Sequence, residues 1–249
     1  MAVTATAVEQ KNLLDVQNFD TKLMQLAHKR ASLPELKETQ DLEVELGSIE
    51  MRLVAAKTEA SDLSLALRKA ENDVEQVAAR AAKNNVRLED GSVTSAKELD
   101  ALQHEVVSLK ARQSELEEVE LEVMERFEET KSVIEVLLGE KGTTEQKFEQ
   151  AVLVRDALLA EIDDESADLL AQRQAKSINL PAELMALYEK VRADHGGVGA
   201  AHLHRGVCQG CHIAIDATEL DRIRNLPVEN VVRCEECRRI LIRTAESGL

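Results

Sequence analysis

Between Leu42 and Ala81 the chain steps by fours and threes through Leu42, Leu46, Ile49, Leu53, Ala56, Ala60, Leu63, Leu67, Ala70, Val74, Val77 and Ala81, and all twelve positions are apolar. A sustained 3.5-residue repeat is the seam of a coiled coil. It excludes a strand and makes a buried all-round apolar helix untenable. What remains is a helix of about 60 Å whose narrow apolar edge must be covered by another helix. The four seam alanines allow that partner a close approach.

A partner is present in the same chain. A second line runs through Leu99, Leu102, Val106, Leu109, Gln113, Leu116, Glu120, Val123, Phe127, Thr130, Ile134 and Leu137, with only Gln113, Glu120 and Thr130 polar. The stretch between the two lines, residues 84–95, holds Asn84, Asn85, Asp90 and Gly91, residues that tolerate a left-handed turn. Ser95 followed by Glu98 reads as a capping box that opens the next helix. Folding the chain about Asp90 sets Ala81 against Leu99, Val74 against Val106, Leu53 against Phe127 and Leu46 against Ile134. The expectation is an intramolecular antiparallel hairpin spanning residues 1–180, with its tip at 84–95.

Two places predict softness in the arms. Ser32-Leu33-Pro34-Glu35 reads as a helix restart with Ser32 as cap, since proline within a helix removes a backbone donor. Gly139 and Gly142 weaken the other arm at nearly the same level. A hinge is therefore expected near 31–35 and 139–144. Residues 181–199 read as a short helix from Pro181 to about Ala193, then a Gly-rich linker.

Composition agrees with long helices around a thin core. Of 249 residues, three are Phe, one is Tyr and none is Trp, while 31% are charged. The net charge of −16 is unevenly spread. Residues 1–195 carry 24 basic and 40 acidic side chains, whereas residues 196–249 carry seven Arg, no Lys and seven acids. The long segment should repel nucleic acid and anionic membranes. No apolar run approaches the about 20 residues a membrane helix needs, and Met1–Asn12 lacks the pattern of a secretory signal. The expected compartment is the cytoplasm.

The chemistry is concentrated in the last fifth. Cys208 and Cys211, then 22 residues, then Cys234 and Cys237 form two Cys-x-x-Cys pairs with no cysteine left over. Four thiolates complete a tetrahedron around one structural Zn2+. The competing readings are disulfides, for which the βαβ setting of a redox Cys-x-x-Cys is missing, and iron in place of zinc. The metal would hold together a ribbon at 200–249 that is too short for a large core of its own. Short strands are expected near Val207, Ile213–Ile215, Val231–Val232 and Ile240–Ile242, with a brief helix capped by Asp216.

Four thiolates leave no open metal position, and no nucleophile, general base or phosphate-cradling loop is visible, so no enzymatic activity is expected. His202, His204 and His212 read as surface or strand-packing residues. Arg233, Arg238, Arg239 and Arg243 surround the second cysteine pair and are the candidate contacts for nucleic acid or a protein partner, because arginine offers a planar fork to phosphate or carboxylate. Base stacking has no aromatic platform there.

The chain resembles the bacterial family of coiled-coil proteins with a C4-type zinc ribbon, described as candidate nucleic-acid-binding proteins. The resemblance covers nearly the whole chain. It rests on Val93-Thr94-Ser95-Ala96-Lys97-Glu98-Leu99, on Leu180-Pro181 with Leu187-Tyr188, and on Val232-Arg233-Cys234-Glu235-Glu236-Cys237 with Arg239-Ile240-Leu241. One departure stands out: the family has Gly after the last cysteine, where this chain has Arg238. The resemblance implies a mainly α protein, a long antiparallel coiled-coil hairpin plus a small C-terminal ribbon, without catalysis. The expected function is a non-enzymatic adaptor. Its ribbon would meet RNA or DNA and its hairpin a protein, with a pure protein scaffold as the alternative. No membrane or small-molecule partner is expected, and a homodimer stays open.

Overall fold

The computed structural model describes residues 3–249. Helix α1 spans Ala7–Ala31, α2 Pro34–Glu89, α3 Ala96–Ser177 and α4 Ala182–Asp194. A small sheet follows, formed by β1 (Ala200–His204), β2 (Val207–Cys208), β3 (Val232–Arg233) and β4 (Ile240–Ile242), with α5 (Ala217–Asn225) between β2 and β3. The chain divides into two compact units: Lys37–Val152, and the segments before and after it.

In Lys37–Val152, α2 and α3 form the hairpin. All twelve positions of each seam line are buried or half-buried, Gln113, Glu120 and Thr130 included. Thr130 keeps its place by donating its hydroxyl to the Arg126 carbonyl, so a buried polar layer is satisfied within its own helix. The register differs from the expected one. Ile49, Leu53 and Ala56 pack with Ile134 and Leu137, and ion pairs join Arg80 to Glu105 and Lys141 to Glu50. The cause lies at the tip. Helix α2 continues through Asn84, which is buried, to Glu89, so the turn is Asp90–Ser95 and not 84–95. Gly91 takes the left-handed conformation (φ 70°) and Asp90 accepts from the Ser92 amide at 2.8 Å. Reflection thus occurs beyond Asp90, which shifts every facing pair.

A break between helices falls on one arm only. Helix α1 ends at Ala31 and α2 starts with Pro34, where its missing N–H costs nothing. Ser32 does not cap α2. Its hydroxyl and amide both donate back to the His28 carbonyl and close α1. Helix α3 runs unbroken through Gly139 and Gly142. Leu137 and Thr144 are buried on its seam side, and packing outweighs the about 1 kcal/mol that each helical glycine costs.

The other unit joins the two ends of the chain. Leu13 and Val16 of α1, Leu180, Leu184 and Tyr188 around α4, and Ala200, Ile240 and Ile242 of the sheet form one apolar cluster. The sheet order is β2-β1-β4-β3, with β1 and β4 parallel and the other pairs antiparallel. The sheet's other face carries Leu203, Ile223, Val232, Leu241 and the cysteines. The start of the chain adds to it: Ala5 donates to the Glu229 carbonyl and Val231 to the Val3 carbonyl. Residues 195–199 are therefore not a free linker. Gly199 is buried and its amide donates to Gln17 Oε1 at 2.6 Å. A Cβ at Gly199 would sit 2.8 Å from the Tyr188 ring, so glycine is required by close approach.

A buried ionic network fastens this unit. Asp20, 1% exposed, receives both nitrogens of the Arg173 fork, the Tyr188 hydroxyl at 2.6 Å and an ion pair from Arg192 at 3.4 Å. Burial, then the Asp20 hydrogen bond, raises the Tyr188 hydroxyl far above its ordinary range, so it stays a donor. One carboxylate thus ties α1 to α3 and α4.

Candidate metal centre and ribbon surface

The two cysteine pairs sit on two nearly equivalent knuckles. In the first, which follows β2, Cys208 donates to the Ile213 carbonyl and His212 donates back to the Cys208 carbonyl at 2.7 Å. In the second, which follows β3, Cys234 donates to the Arg239 carbonyl and Arg238 donates back to the Cys234 carbonyl at 2.9 Å. In each the residue after the second cysteine turns left-handed, His212 at φ 61° and Arg238 at φ 59°. The family-like glycine position thus holds an arginine in a glycine conformation, and the first knuckle does the same with a histidine. The sheet order brings the knuckles together, since β1 pairs with β2 on one side and with β4 on the other. β1 and β2 are joined by Arg205-Gly206, both with positive φ, the two-residue loop that matches strand twist.

The four sulfurs lie within 4.8 Å of one another, with Cys208 to Cys237 at 3.8 Å and Cys211 to Cys234 at 3.9 Å. A tetrahedron with Zn–S bonds of about 2.3 Å has edges of about 3.8 Å, so the donor set fits one zinc ion. Cys208 and Cys234 are buried and Cys211 and Cys237 half-buried. Without metal, burial pushes the Cys208 thiol up to about 12, against the Cys211 and Gly210 amides. Burial likewise raises Cys234, against the Cys237 and Glu236 amides. At Cys237 burial also acts upward, but the Arg239 amide and guanidinium with the neighbouring thiols outweigh it and bring the group to about 7. The bound ion is structural: four protein ligands fill its coordination sphere and leave no position for a substrate.

The four candidate arginines separate into two kinds. Arg239 donates Nε to the Val198 carbonyl, Nη1 to Gly210 and Nη2 to His195. It packs so closely on Gly210 that a Cβ there would lie 2.7 Å from its Cδ. Arg243 donates to five carbonyls, those of Ile223, Leu226, Pro227, Val228 and Asn230. It closes the C-terminal end of α5 and the loop after it, and burial lowers its pKa below the usual arginine value. Arg233 and Arg238 remain exposed, and Arg233 Nε donates to the Arg238 carbonyl at 2.8 Å. These two stand together over the second knuckle. Exposed Glu235 and Glu236 lie beside them. His202 and His212 are exposed, and His204 sits half-buried near Glu246.

Residues 16–196 match the family model of the CT398-like coiled coil hairpin domain, and residues 207–241 match that of the C4-type zinc ribbon domain. An uncharacterized protein of Mycobacterium tuberculosis is 33% identical over 96% of this chain and 97% of its own length. A second uncharacterized protein, from Mycobacterium leprae, is 27% identical over 89% of this chain and 94% of its own. A solved structure from Mycobacterium smegmatis superposes with a TM-score of 0.84 at 33% identity, over 97% of this chain and all of that one. CT398 from Chlamydia trachomatis shares the fold, with a TM-score of 0.72 at 20% identity over 94% and 96% of the two chains.

Proposed function

We propose, since the chain belongs to the family of CT398-like coiled-coil hairpin proteins with a C4-type zinc ribbon, that it is a non-enzymatic adaptor whose ribbon binds nucleic acid through phosphate contacts at Arg233 and Arg238. One observation carries this reading. Of the four arginines around the second cysteine pair, these two alone are exposed, one on each side of the knuckle and joined by the Arg233 Nε bond to the Arg238 carbonyl. Arg239 and Arg243 instead engage their guanidinium groups with backbone carbonyls elsewhere in the ribbon and its approach. Two phosphate contacts predict a modest log–log salt slope, about −2 on duplex and about −1.4 on single strands. Filter retention of labelled RNA and DNA against salt tests it. Arg233→Ala with Arg238→Ala should abolish retention, while Arg224→Ala should not.

The alternative, a protein-only scaffold, is favoured by the charge of the hairpin. Lys37–Val152 carries 27 acidic and 15 basic residues, a surface that draws cationic protein and repels phosphate. No retention of any nucleic acid at low salt would establish the scaffold instead. No helix of the described residues is long and apolar enough to cross a membrane.

A further inference from the structure

Helix α2 carries a second heptad line that the hairpin does not use. It runs through Val44, Gly47, Met51, Val54, Thr58, Ser61 and Leu65, again in alternating threes and fours. These positions lie on the side away from the seam. All seven are exposed, with Val44 at 68%, Met51 at 71%, Val54 at 64% and Leu65 at 62%. None is charged. A Cβ at Gly47 would meet nothing within 4 Å, and the Thr58 hydroxyl is turned inward onto the Val54 carbonyl. An exposed line on α3, through Val107, Lys110, Ser114, Glu117, Leu121, Met124, Glu128 and Lys131, carries a charge at four of its eight positions. An outward face on so charged a chain normally solvates itself with Lys and Glu. Three heptads without a charge are what a further helix requires.

The flanks indicate what that helix is. Beside the line stand Asp41, Glu43, Glu50 and Asp62 against Lys57, and cross-hairpin ion pairs already hold Glu50 to Lys141 and Arg52 to Glu140. The positions that would face a partner's flanks are mainly acidic. A second copy of this chain would bring the same acids and repel.

We propose that Val44–Leu65 docks an amphipathic helix of another protein, about 32 Å long, apolar along one edge and basic on both flanks. This rests on the adaptor reading of the hairpin and not on the ribbon's arginines. The test places the photo-reactive residue p-benzoylphenylalanine at Val54, or as control at Val107 or Leu121, in the full-length protein within cells that carry the gene, and sequences the cross-linked segments. Expected is a cross-link from position 54, at least tenfold above the controls, to segments of other proteins with heptad-spaced apolar residues and positive net charge. Met51→Gln with Leu65→Gln should remove it while the melting temperature stays unchanged. Cross-links from Val107 or Leu121 but not from position 54 sink this face and leave the adaptor reading standing, whereas silence at all three sinks both for the hairpin. A cross-link between two copies, recognised by isotope mixing, overturns the occupant, and so does a segment without positive charge.

Discussion

At the scale of single residues, this chain uses arginine as a backbone clamp. Arg243 donates to five carbonyls at the end of α5 and in the following loop. Those of Ile223, Pro227 and Val228 also accept from Leu226, Asn230 and Gln10, whereas those of Leu226 and Asn230 rely on the guanidinium. Replacing Arg243 with Met keeps the stem and strands the Leu226 and Asn230 carbonyls. The variant should lose about 2–3 kcal/mol in urea unfolding while still binding one zinc, and a parent-like midpoint would show the bonds to be idle. Asp20→Asn tests the buried network in the same way. With the charge gone, Arg173 and Arg192 keep only Glu189 as an ionic partner, and a loss of about 3 kcal/mol is expected. Arg238 points in the opposite direction. Its left-handed backbone costs roughly 1 kcal/mol that glycine would not incur. Arg238→Gly should therefore raise the melting temperature and, if the phosphate reading holds, weaken RNA or DNA retention. The roles of Arg243 and Asp20 were not legible in the sequence, whereas Arg238 stood out there as the residue in a glycine position. A row of residue types shows four arginines near a knuckle, but which guanidiniums turn inward depends on carbonyls far away along the chain.

At the scale of elements, legibility follows contact distance. Both seam lines and the Asp216 cap of α5, whose side chain accepts from the Thr218 amide, are local patterns, and the sequence displays them directly. β1 is one of the two inner strands of the sheet, yet the sequence did not display it. Its hairpin with β2 turns on Arg205-Gly206, whose first residue is not a usual turn former, and its other partner, β4, lies 40 residues onward and pairs in parallel. Residues 195–199 look like a flexible linker for the same reason. Their glycines serve close packing against α1 and α4, which composition does not reveal. The cysteine spacing announced the ion, and the knuckles add its pH dependence. Zinc must displace the protons of Cys208 and Cys234, whose thiols are held above neutrality by burial. Binding therefore strengthens as pH rises, by at least about 100-fold from pH 6 to pH 7 for two displaced protons. Competition with a chromophoric chelator at the two pH values measures this directly, and a pH-independent constant would mean that the thiols are already ionised.

At the scale of the whole molecule, the decisive question is what the ribbon needs in order to fold. Its two faces rest on different supports. One, with Cys208, Ile223, Val232 and Leu241, closes around the knuckles. The other, with Ala200, Ile240 and Ile242, closes on Leu13, Val16, Leu184 and Tyr188, and Val3–Ala5 pairs with its edge at 229–231. The hairpin unit Lys37–Val152 has a core of its own that includes no cysteine. Chelation in the full chain should therefore act in steps. Amide protection at Cys208–Cys211, Ile223 and Val232 should be lost. Protection at Ile240–Ile242 should fall less, because the helical cluster still covers that face, and the far-ultraviolet helical signal should hardly change. An excised segment 200–249 has no such cover. It should take up zinc yet give poorly dispersed amide resonances, since burying fully apolar Ile240 and Ile242 against nothing forfeits about 2 kcal/mol for each. Adding back Val3–Ala31 and Leu180–Asp194 on one chain should restore the dispersion. If the bare segment folds cooperatively with zinc alone, the ion suffices and the contact with α1 and α4 serves only to anchor it.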